Sequence, residues 1–238
     1  MSKIKDKLGR YRADPEWVAL RLSERYGDPH HFNRVNPLEE LIFIIFSLQT
    51  DETKYREAFA RLRASFPTFE LLSKASADEL TTIVGPAGLG KQKGVLLRRM
   101  FDAIIKQCGR LSLASLRHMD NAACEAFLTG LPGVGLKTAR CVMMYSLQRD
   151  VFPVDTHCWR ICRRLGWIRP TRPDRSCSPK DMDRLQQKIP THIRHGLHVN
   201  LISLGRDLCR FDRAQCEVCP LVDRCPQIGI KDVRANVF

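Results

Sequence analysis

Between Leu131 and Trp159 the chain reads LPGVGLKTARCVMMYSLQRDVFPVDTHCW, and no other stretch limits the fold as strongly. Leu136 to Leu147 carries Ala139, Val142, Met143 and Leu147 at helical spacing. Before it, Asp120 is placed to cap a shorter helix that runs to Phe127 and closes at Thr129-Gly130. Two helices joined by Pro-Gly-Val-Gly form a tight hairpin. Such a corner leaves N–H groups without intrahelical partners at the positive end of the second helix, and that combination seats phosphate. Gly133 and Gly135, on either side of Val134, have no Cβ, so a phosphodiester backbone can approach closely. Lys137 stands at the opening of the second helix. The positive helix end and partial burial both favour the neutral amine there, as a nucleophilic, imine-forming lysine requires. Spacing alone favours the simpler role of a phosphate anchor.

The remaining chain reads as helices with polar starts. Asp14-Pro15 opens one that runs to Tyr26, and Gly27-Asp28-Pro29 breaks it. Asn36-Pro37 opens the next, with Glu39 placed for a capping box. That helix, LEELIFIIFSL, is apolar on nearly every side and should be the central buried helix of its domain. It ends at Gln49-Thr50-Asp51. Helices at 51–66 and 68–74 follow, then one capped by Ser76 and Glu79 that stops before Gly85-Pro86. Leu89 lies between Gly88 and Gly90, ahead of a helix to Cys108. Asp155 is a good N-cap for THCWRICRRLGW, and further helices cover 181–189 and 192–206. No strand-like alternation and no repeat appears, so the expected class is all-α.

Composition adds a partner and a compartment. The chain holds 39 basic residues against 26 acidic, a net charge of +13, which points to a polyanion. Arg160, Arg163, Arg164, Arg169, Arg172 and Arg175 form a basic run after Asp155, either a solvated face or a track for a phosphate backbone. No apolar run is long enough to span a membrane, and MSKIKDKLGRYR has no apolar centre of a secretory signal. An intracellular protein, in cytoplasm or nucleoid, keeps its ten cysteines reduced, so metal binding outranks disulfides. Four of them fall as Cys209-x6-Cys216-x2-Cys219-x5-Cys225. Four thiolates satisfy either a tetrahedral zinc or a [4Fe–4S] cluster. The other six read as small buried residues.

LPGVGLKTA followed by VDTH, together with the four-cysteine loop, resembles the helix-hairpin-helix DNA glycosylases, and within them the endonuclease III branch. The resemblance covers roughly residues 36–225. It implies two helical lobes, one a helical barrel with the hairpin (30–150), the other a cluster lobe (1–29 with 151–238), and a DNA-binding cleft between them. It also implies a monomer that excises a damaged base from double-stranded DNA and cuts the abasic site by β-elimination. Lys137 would be the nucleophile and Asp155 the carboxylate facing positive charge on the sugar. Gln49 and Leu89 would insert into the duplex, and Gly133, Val134, Gly135, His157, Arg163 and Arg164 would contact DNA. Cys209, Cys216, Cys219 and Cys225 would hold a [4Fe–4S] cluster. Oxidised pyrimidines are the expected lesion. Uracil or thymine mispairs and alkylated purines are the alternatives, and a non-catalytic cluster-bearing damage sensor is the rival of another class.

Overall fold

The computed structural model describes residues 13–28, 33–85, 90–171 and 176–230. Leu89, Arg172 and Arg175 lie outside the described residues. Everything regular among them is helical, with one isolated antiparallel bridge between Cys209 and Ala214. Eleven α-helices are described: α1 (Pro15–Tyr26), α2 (Pro37–Ser47), α3 (Glu52–Ser65), α4 (Phe69–Ser73), α5 (Ala77–Val84), α6 (Gly90–Cys108), α7 (Asn121–Thr129), α8 (Leu136–Tyr145), α9 (Thr156–Arg164), α10 (Pro179–Lys188) and α11 (Arg194–Asp207). No helix of the described residues is long and apolar enough to cross a membrane.

Side-chain caps set most of the starts. Asp14, Asn36, Asp51, Thr68, Ser76, Asp120, Asp155 and Ser178 each accept a hydrogen bond from a backbone N–H of the first turn. Ser76 and Glu79 complete a reciprocal capping box. At α2 the expected box does not form. Asn36 takes the N–H groups of Leu38 and Glu39, while the Glu39 carboxylate pairs with Arg63 Nε at 3.2 Å. A cation from α3 outcompetes the helix's own N-cap amide for that carboxylate.

The chain divides into two compact units, Phe32–Arg149 and the flanking segments Met1–His31 with Asp150–Phe238. In the first, α2 is the axis. Nine of its residues, from Pro37 to Phe46 with Glu39 excepted, are buried, and α3, α6 and α8 all pack on it. Phe43 meets Tyr55 and Phe59 edge-on, at 5.1 and 5.3 Å between ring centroids. Phe43 and Phe59 are buried, and burying a side chain of that size contributes about 1.5–3 kcal/mol of transfer free energy. α5 packs on α3 and α6, and α7 on α8. In the second unit α11 packs against both α1 and α9, and the Trp167 indole donates to the Ala13 carbonyl at 2.6 Å.

Candidate active site

The hairpin between α7 and α8 is built by sterics. Gly133 has φ of 74°, a left-handed conformation that costs side-chain-bearing residues roughly 1–2 kcal/mol. A Cβ there would also come within 2.5 Å of the Leu96 side chain. Val134 is buried, so its contribution to a ligand can only be backbone. Gly135 is exposed, and a Cβ on it would meet nothing within 4 Å. It forms the N-cap of α8 without a side-chain cap, so the first amides of α8 face an approach that no side chain at the cap obstructs. Across the hairpin, Arg140 of α8 is almost fully buried and its Nε donates to Glu125 of α7 at 2.8 Å.

Lys137 lies in the first turn of α8 and is half-buried. In the same unit Glu40 of α2 is fully buried. It accepts from the Arg34 N–H at 2.8 Å and from the Asn33 amide. Burial pushes the Glu40 carboxyl above its usual range, against the pull of the Arg34 and Asn33 hydrogen bonds and the charges of Arg34 and Lys137. A buried acid within electrostatic reach of Lys137 was not legible in PLEEL, where Glu40 looks like another first-turn surface charge.

Gln49 is exposed at the turn between α2 and α3 and has φ of 52°, left-handed backbone in a residue that carries a side chain. Beneath it Lys93 of α6 is buried, its ammonium donating to the Phe46 carbonyl at 2.9 Å and the Thr50 hydroxyl at 2.5 Å. The sequence offered no sign of this, since Lys93 stands among surface-type lysines.

In the other unit Asp155 caps α9, its Oδ1 accepting from the Cys158 N–H at 2.7 Å, so the carboxylate is held by the helix it starts. His157 is half-buried, and burial is the main cause that lowers its pKa. Arg160 joins this region to the cysteine loop: Nη2 lies 3.1 Å from His157 Nδ1 and Nε donates to the Cys209 carbonyl at 2.9 Å. Arg163 is half-buried with its guanidinium 5.7 Å from the Trp159 ring centroid. Arg164 corrects the expectation that it follows a DNA backbone. It is buried, and donates to the carbonyls of Cys209, Arg210 and Phe211 and to Cys209 Sγ at 3.0 Å. Its position three residues after Ile161 places it beside the apolar stripe of α9, which a count of basic residues overlooks.

Cys209, Cys216, Cys219 and Cys225 all line one small pocket whose other walls include Leu208 and Leu221. Burial raises the Cys216 and Cys219 thiols and pushes Cys225 up to about 11. Among the described residues no three His, Cys, Asp or Glu side chains already stand as a metal-ion site. The donor set nonetheless fits a thiolate-bound group: four soft ligands on one apolar wall, with an arginine N–H on one of them. Binding would require the thiols to give up their protons.

The sequence profile of the HhH-GPD superfamily of base excision DNA repair proteins matches residues 42–188. The chain belongs to that superfamily. A candidate DNA glycosylase from Arabidopsis thaliana is 32% identical over 82% of this chain and 67% of its own. Endonuclease III of Thermotoga maritima is 25% identical over 88% of this chain and 91% of its own. A trapped endonuclease III–DNA covalent intermediate superposes with a TM-score of 0.74 at 24% identity, covering 89% of this chain and 94% of that one. The all-helical fold and the base excision repair glycosylase family expected from the hairpin are therefore those of this HhH-GPD glycosylase.

Proposed function

We propose that this glycosylase is bifunctional, removing an oxidised pyrimidine and then cutting the strand at the abasic site, with Lys137 as nucleophile. The observation that carries the reading is a half-buried lysine in the first turn of α8, behind a helix start that no side chain caps. The α8 amides and Gly135 would take phosphate of the damaged strand, bringing the sugar toward the amine. The target nucleotide has to leave the stack, because its glycosidic bond is inaccessible inside a duplex.

Lys137 Nζ attacks C1′, and the bond from C1′ to the base breaks with its electron pair leaving on the base, which takes up a proton. Positive charge grows on the sugar as that bond breaks, and Asp155, held rigid by its cap, is the group assigned to oppose it. The attacking amine loses a proton and the sugar ring opens to an iminium. Loss of a C2′ proton then expels the 3′ phosphate, and water releases Lys137 from the imine. His157 and Arg163 are assigned to phosphate contacts. Cys209, Cys216, Cys219 and Cys225 would hold a [4Fe–4S] cluster, which when bound cross-links the loop and contributes folding energy.

The test is reductive trapping with borohydride on duplexes that each carry one defined lesion. A covalent protein–DNA product should form best with an oxidised pyrimidine. Lys137→Gln should abolish it while retaining binding, and Asp155→Asn should lose about two to three orders of magnitude in base release. Undiminished trapping in Lys137→Gln would make another amine the nucleophile. Preference for a uracil or thymine mispair would transfer the substrate to that class.

A further inference from the structure

The turn that presents Gln49 is held by a buried cation from another helix. Thr50 Oγ1 donates to the Leu48 carbonyl at 3.0 Å, bridging the residues on either side of Gln49. The same oxygen accepts from Lys93 Nζ, whose other bond goes to Phe46 O, a carbonyl in the last turn of α2. The strap therefore runs from Lys93 through Thr50 to Leu48 and spans the residue with φ of 52°. α2 has no basic residue in its own last turn, so Lys93 supplies the positive charge that the helix C-terminus favours. On the far side, Asp51 caps α3 by accepting from the Thr53 N–H at 3.0 Å.

Lys93 is an expensive residue for this position. It is 5% exposed, and no carboxylate among the described residues pairs with it. Burying an ammonium without a carboxylate costs far more than burying a methionine of similar length, so core packing does not account for it. Its delivery is equally constrained. At Gly94, the next residue, a Cβ would come within 2.6 Å of the Thr81 backbone, so α6 and α5 touch backbone to backbone there.

We propose that Lys93 is a positioning residue that locks the Ser47–Asp51 turn in the conformation presenting Gln49 to the gap left by an extruded nucleotide. The proposal rests on the glycosylase reading, in which Gln49 enters the duplex. Lys93 itself touches no DNA. It removes the alternatives a five-residue turn would otherwise sample, so the entropy of ordering Gln49 is spent on folding and not on binding.

The experiment compares a duplex holding an uncleavable tetrahydrofuran abasic analogue with the same duplex fully paired. Wild type should prefer the analogue. Lys93→Met should retain the helical circular dichroism and lose about tenfold of that preference, the scale of one well-placed contact. Gln49→Ala should lose a similar factor, and the double variant no more than either alone, because both changes abolish one interaction. Should Lys93→Met fail to fold, Thr50→Val breaks the strap while leaving the ammonium its carbonyl, and the same non-additivity with Gln49→Ala is expected. Full preference in the strap variants, or losses that multiply in the double variant, would overturn the proposal alone. A wild type without preference for the analogue would overturn the glycosylase reading, and this proposal with it.

Discussion

His157 shows what burial does to a residue that the VDTH motif marks only as polar. Its imidazole is lowered first by desolvation, with Asp155 opposing and Arg160 and Arg206 adding to the depression. The native state thus favours the neutral ring more than the unfolded chain does. That contribution is fully present above the ordinary histidine value of about 6.5 and drains as pH falls through the lower native value. Stability measured by denaturant should therefore decline on acidification below about pH 6.5, and His157→Gln should flatten the decline. An unchanged acid limb would assign it elsewhere, and His195, also lowered by burial, is next in line. At this scale the sequence was legible where a role is set by chain neighbours and misleading where it is set by distant ones. Asp155 reads as a cap because a carboxylate directly before an apolar stripe is placed to accept the first amides of the helix. Nothing local marks Lys93 and Glu40 as buried, because burial of a charge is decided by neighbours distant along the chain.

The hairpin is the element whose rigidity the proposed chemistry needs most. Arg140 and Glu125 tie α8 to α7 with the arginine side chain only 3% exposed. Removing Glu125 leaves a buried guanidinium short of its carboxylate, so Glu125→Ala should cost about 3–5 kcal/mol, visible as a lower denaturation midpoint. Replacing the pair together by apolar residues should recover much of that loss, whereas an unaltered midpoint in Glu125→Ala would mean the pair is already screened. Helix starts were readable because Asn, Asp, Ser and Thr caps are local chemistry. The spacing of Cys209, Cys216, Cys219 and Cys225 made their gathering around one pocket readable, but the bracing of that loop by Arg164 was not. RICRR shows three arginines, and only the rotation of α9 against the loop decides that Arg160 and Arg164 reach its carbonyls.

For the molecule as a whole, 39 basic against 26 acidic residues make phosphate neutralisation the dominant source of affinity. The logarithm of the DNA association constant should fall steeply and linearly with the logarithm of salt concentration. Arg163→Ala should reduce that slope by about one, the signature of a single lost phosphate contact. Arg164→Ala should instead lower thermal stability, since its donors are committed to Cys209, Arg210 and Phe211. A slope insensitive to Arg163 would remove it from the interface.

The division into Phe32–Arg149 and its two flanks also leaves room for an order of assembly. A ribosome releases α1 early, yet the helix it packs against, α11, begins at Arg194. Meanwhile α2 to α8 can close around one another as soon as they are made. The intervening unit is thus free to fold first, while α1 waits with Val18 and Leu22 uncovered. Synthesis that stalls after Arg149 would release a hairpin-bearing unit preceded by a helix whose apolar stripe still lacks its partner, and such exposed apolar surface is prone to aggregate.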